Sequence, residues 1–139
     1  MNLRVIPTNV HGAVDHALGP TVAAAPAIFR LRKDSPEGLV AEVTGGLSTI
    51  YANLTDYELS PVNAIPMRIH LALDMLSGAA LAAVPHLTGA RRRGLKHWLP
   101  HTVIGAFEIG LAAFTRPEPP RSTATRAKRV LDLRKKLPF

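Results

Sequence analysis

The chain is 139 residues long, which by length makes it one domain, and it has no cysteine, so disulfides and thiolate metal sites are excluded. A net charge of +7 and a pI of about 10.6 suggest a nucleic-acid binder, but the cations cluster at Arg30, Arg32 and Lys33, at Arg91, Arg92, Arg93 and Lys96, and after Arg116. The two Tyr, four Phe and one Trp do not interleave with them; a base-stacking surface is poorly supported, and anionic lipid headgroups account better for the clusters.

The first predicted element, residues 10–29, lies between Pro7 and Arg30 and is followed by a second at 39–55. The third and fourth cover 69–90 and 99–115. These segments are 17 to 22 residues long, close to the roughly 20 that cross a bilayer core as a helix. They come as a tandem duplication. Ile6, Pro7, His11, Asp15, Gly19, Ala23, Ala24 and Pro26 recur without a gap as Ile65, Pro66, His70, Asp74, Gly78, Ala82, Ala83 and Pro85. A weaker echo pairs Gly45, Ala52, Leu54 and Thr55 with Gly105, Ala112, Phe114 and Thr115. The expected fold is therefore all-α: four transmembrane helices in two helical-hairpin repeats, residues 1–60 and 61–118, with a basic juxtamembrane tail at 119–139.

Gly12, Gly19, Ala23 and Ala27, and again Gly78, Ala79, Ala82 and Ala83, provide faces on which helices pack closely in lipid. Pro20, Pro26 and Pro85 read as kinks that a membrane bundle tolerates. A soluble four-helix bundle is the competing architecture, since mean hydropathy is only +0.11 and segment two carries Glu42, Thr44, Ser48, Thr49 and Asn53. It should show broad charged faces, which these segments lack. Basic residues divide equally between the two sides of such a bundle, so charge does not orient it. No signal peptide is expected at the N-terminus. Beyond Pro120, Ser122 is placed to cap a short basic helix, with Arg126, Lys128 and Arg129 facing headgroups or a partner; the competing reading is a solvated basic tail.

The twofold pattern His-x-x-x-Asp-x-x-x-Gly with a later Pro resembles the SPW-repeat family of small bacterial membrane proteins. The run Leu54-Thr55-Asp56-Tyr57-Glu58-Leu59, then Ile65-Pro66-Met67-Arg68-Ile69-His70, carries most of the likeness, with Pro100 to Gly105 and Glu108-Ile109-Gly110 adding to it. The namesake Ser-Pro-Trp is replaced by Ala25-Pro26-Ala27 and Val84-Pro85-His86. The resemblance covers residues 6–118 and implies a four-helix protein of the bacterial inner (cytoplasmic) membrane, with no activity attached.

His11 and Asp15, like His70 and Asp74, stand four apart and so share a helical face. With Glu108 they form the expected structural polar cluster, in which buried groups pair with each other and pin helices together. The alternatives are a haem or divalent-metal site using His11 and His70, and a proton-conducting oligomer using the same groups as a relay. His97 and His101 beside Trp98 read as a headgroup belt, and Arg91, Arg92 and Arg93 as contacts to headgroups or a partner. Neither a strained Gly-x-Ser-x-Gly turn nor a phosphate-cradling loop is present, so the chain is expected to be non-enzymatic. Its expected role is structural or accessory, docked on a larger membrane complex or self-associated, with lipid as its solvent, no nucleic-acid partner and no obligatory cofactor.

Overall fold

The repeated Ile-Pro steps set the architecture. Proline disfavours helix in the residue before it, so Ile6 and Ile65 stay extended and helices begin directly behind Pro7 and Pro66. The computed structural model describes residues 3–118 and is all-helical: α1 (Thr8–Ala23), α2 (Ala25–Ile28), α3 (Pro36–Ala52), α4 (Met67–Leu87) and α5 (Leu99–Phe114). Two 3-10 turns, Ala90–Arg93 and Leu95–His97, join α4 to α5. The tail, with Arg126, Lys128, Arg129 and the helix expected after Ser122, lies outside the described residues.

Helix α1 packs on α3, α4 packs on α5, and α3 meets α4 between the two hairpins. The extended residues close the arrangement crosswise. The Ile6 N–H donates to the Phe114 carbonyl and the Ile6 carbonyl accepts from Arg116 N–H, both at 3.0 Å. The Ile65 N–H donates to the Leu54 carbonyl and the Ile65 carbonyl accepts from Asp56 N–H, both at 2.8 Å. Each repeat thus begins against the end of the other, and equivalent residues make equivalent bonds.

Three local expectations change. Segment one is not a single kinked helix over 10–29: α1 ends at Ala23 and Pro26 falls in the first turn of α2, where its missing N–H leaves no helical bond broken. Pro20 and Pro85 do lie inside α1 and α4. Helix α3 starts three residues earlier than expected, because Ser35 Oγ accepts from Gly38 N–H at 3.2 Å and Pro36 follows as the first helical residue. Third, α4, at 21 residues, is the one described helix long and apolar enough to cross a membrane. At 16 or 17 residues, α1, α3 and α5 reach about 24–26 Å, against a hydrocarbon core of about 30 Å. Helix length therefore does not support four spanning helices.

Close contact inside each hairpin rests on a pair of glycines, Gly19 with Gly45 and Gly78 with Gly105. A Cβ at Gly45 would strike the backbone of Ala23 and lie 2.7 Å from the Gly19 carbonyl; one at Gly105 would strike the Gly78 carbonyl and lie 2.8 Å from the Ala82 nitrogen. Gly46 faces open space. Gly45→Ala should therefore destabilise the fold by about 1–3 kcal/mol through overpacking. Gly46→Ala should be neutral or gain up to about 1 kcal/mol of helix propensity. Thermal unfolding of the two variants in detergent checks this; equal effects would contradict the assigned contact.

Candidate functional site

The four repeated ionisable residues meet. His11 and Asp15 from α1 and His70 and Asp74 from α4 come together between the repeats, none of them more than 6 % exposed. Within each helix the four-residue spacing brings His11 Nε2 to 3.2 Å from Asp15 Oδ2, and His70 Nε2 to 3.1 Å from Asp74 Oδ2. The contacts between repeats are shorter: His11 Nε2 to Asp74 Oδ2 and His70 Nε2 to Asp15 Oδ2 are both 2.9 Å. The two Nε2 atoms are 3.2 Å apart, with the rings edge to face.

The far side of each imidazole is fixed by a threonine at the end of a helix. His11 Nδ1 lies 2.8 Å from Thr115 Oγ1, and His70 Nδ1 lies 2.7 Å from Thr55 Oγ1. Each hydroxyl donates its single proton to the carbonyl four residues back, Thr115 to Leu111 at 2.6 Å and Thr55 to Tyr51 at 2.7 Å. It must then accept from the histidine. Both rings therefore carry Nδ1–H and turn Nε2 into the cluster. Sequence reasoning marked Thr55 and Thr115 as repeated without giving them a role; the signal was that they recur at nearly the spacing of the histidines.

The symmetry breaks around the second carboxylate oxygens. Tyr51 OH donates to Asp74 Oδ1 at 2.7 Å and accepts from Ser48 Oγ at 3.0 Å. In the second repeat, Leu111 and Glu108 stand where Tyr51 and Ser48 stand in the first. Glu108 is buried, but it is not among the four grouped residues, and its Oε2 has no hydrogen-bond partner among the described residues. Tyr57, from the link between repeats, packs edge to face on His70 and fills the space over Gly12.

The other candidates scatter. His16 Nδ1 bonds the Gly12 carbonyl at 2.7 Å, and His86 Nε2 lies 2.8 Å from Thr102 Oγ1. His97 and His101 form no headgroup belt: His97 Nδ1 lies 2.7 Å from Glu37 Oε1 and the buried His101 donates from Nε2 to the Glu37 carbonyl at 2.9 Å. Arg93, expected with Arg91 and Arg92 to contact headgroups or a partner, donates to Glu37 Oε2 at 2.7 Å, while Arg91 stacks on Trp98 and Arg92 is exposed. The fully buried Glu37 was missed, since it repeats as a residue of another type, His97. A haem between His11 and His70 does not fit, because nitrogens 3.2 Å apart leave no gap for a porphyrin. The four donors are close enough to share a single ion, since one ligand atom from each of the four residues lies within 4.8 Å of the others.

Replacing Asp74 by Leu should destabilise the bundle by about 1–3 kcal/mol, by removing the carboxylate that accepts from His11 and Tyr51 inside the bundle. Tyr51→Phe, which removes one bond to Asp74, should cost about 1 kcal/mol. Unfolding in detergent measures both, and an unchanged melting temperature for both would contradict a clamp at this position. No protein-family model, curated protein or solved structure matches the chain, so the SPW-repeat resemblance rests on the residues quoted for it.

Proposed function

We propose that the chain is an integral membrane protein whose helices cross the bilayer as two hairpins, with a structural or accessory role rather than a catalytic one. Inverted polarity carries this reading. His11, Asp15, Glu37, His70, Asp74, His101 and Glu108 are buried, whereas Leu39, Val43, Leu47 and Ile50 are exposed along α3 and Leu99, Val103 and Phe107 along α5. A water-soluble bundle arranges these classes the other way round. Within a membrane, ionisable groups turn to the bundle interior and pair. Helices shorter than the bilayer are accommodated by local thinning and by long basic side chains reaching the interface; Arg32, Lys33, Arg92 and Lys96 are exposed in the connections at one end.

The outer face of α1 supports docking on a larger complex. Ala13, Ala17 and Thr21, four apart, lie with Val10, Val14 and Leu18 along a shallow groove of about 440 Å³. Small residues at that spacing let a partner helix approach closely in lipid. A proton-conducting oligomer is the weaker reading, because the quartet is enclosed by Tyr51, Thr55, Tyr57 and Thr115 instead of strung along a path. Location in a bacterial inner membrane follows from the family resemblance.

Leu47→Cys, Leu76→Cys and Phe107→Cys, made one at a time in a chain with no native cysteine, should resist a membrane-impermeant maleimide in vesicles. Lys33→Cys and Lys96→Cys should react, both from the same side. Labelling at 47, 76 and 107 as fast as at 33 would overturn the membrane reading. Native purification in mild detergent tests the accessory role separately: a partner at fixed stoichiometry is expected, and a lone homogeneous bundle would contradict docking.

A further inference from the structure

We propose that His11, Asp15, His70 and Asp74 form a closed four-ligand site for one divalent transition-metal ion of the zinc class, which cross-links the two repeats.

The geometry is that of a coordination shell. Five of the six separations among the two Nε2 and two Oδ2 atoms fall between 2.9 and 3.2 Å. The sixth, Asp15 Oδ2 to Asp74 Oδ2, is at most 4.8 Å. A tetrahedron with metal–ligand bonds of about 2.0–2.1 Å has edges of about 3.3–3.4 Å, so a bound ion draws the four atoms to a common distance, with the two nitrogens moving slightly apart. The donors are presented correctly. Thr55 and Thr115 take the Nδ1–H of each ring, which directs both Nε2 lone pairs inward. Such outer hydrogen bonds are the usual means of fixing the tautomer of a metal-bound histidine.

Hydrogen bonding alone satisfies this centre poorly. Without an ion, each Nε2 needs a proton to face the carboxylates. Two protonated rings balance the two carboxylates but present like charges across 3.2 Å, and a single shared proton leaves one uncompensated negative charge in a buried site. A divalent ion with two neutral imidazoles and two carboxylates sums to zero.

The donor set also selects the ion. Calcium and magnesium take six or more oxygen ligands, and half the donors here are imidazole nitrogens. Copper(I) favours thiolates and thioethers, which these four residues do not offer. Imidazole with carboxylate suits zinc and its divalent neighbours, and four protein ligands with no open position describe a structural site rather than a catalytic one.

The test uses the full chain in mild detergent, purified without a histidine tag or chelator. Elemental analysis should find about one zinc-class ion per chain. Stripping with a chelator should lower the melting temperature, and added Zn2+ should restore it. Co2+ added to the stripped protein should give the visible absorption of a tetrahedral complex. His11→Ala with His70→Ala should lose the ion. As that variant risks misfolding, Thr55→Val and Thr115→Val provide the second arm: a folded chain that binds zinc about 10–100-fold more weakly. A folded wild-type chain with no stoichiometric metal, no response to chelator and no shift with Zn2+ or Co2+ would overturn the proposal. The cysteine labelling is unaffected by that outcome, so failure here and failure of the membrane reading are distinguishable.

Discussion

The fold depends on a meeting of equivalents. Duplication gives each repeat a histidine and an aspartate one turn apart, and the crosswise closure through Ile6 and Ile65 carries the two pairs to one point. There, each histidine lies closer to the aspartate of the other repeat than to its own. A buried ionisable group without a partner costs far more than a surface one. The two repeats are therefore bound to one register: sliding either hairpin strands four polar groups at once.

What surrounds that point is organised to keep it dry. Thr55 and Thr115 close the outer side of the imidazoles, Tyr51 holds the remaining oxygen of Asp74, and Tyr57 lies over His70 against Gly12. The two helices of each hairpin approach closely at Gly45 and Gly105 because no side chain stands between the backbones. At the other end of the bundle a second polar contact, Glu37 with Arg93 and His97, ties the 3-10 turns to the start of α3. Position 37 corresponds to position 97 in the repeat, so equivalent positions meet at both ends.

Much of this is legible in the sequence, and the exceptions have physical causes. Four of the five cluster residues could be read because each is present twice at one spacing, and equivalent positions in a duplicated fold tend to meet. Glu108 is buried but leaves its Oε2 without a hydrogen-bond partner among the described residues, and no repeat pattern marks its role: its counterpart Ser48 serves Tyr51, and Leu111 replaces that tyrosine. Glu37 was invisible as a site residue because its partners lie 56 to 64 residues away in an irregular link whose path no local pattern gives. The ends of α1 and α3 were misjudged where capping decides: Ser35 and Pro36 start α3 early, and the chain breaks at Ala24 ahead of Pro26.

The most direct test of the central claim is a double-mutant cycle between repeats. The free energy of unfolding in detergent is measured for His11→Ala, Asp74→Ala and the double variant. A clamp across the repeats gives a coupling energy of about 1–3 kcal/mol, with the double variant losing much less than the sum of the single losses. Additivity within about 0.5 kcal/mol would mean that His11 and Asp74 do not act together, and that something other than this cluster holds the two halves in register.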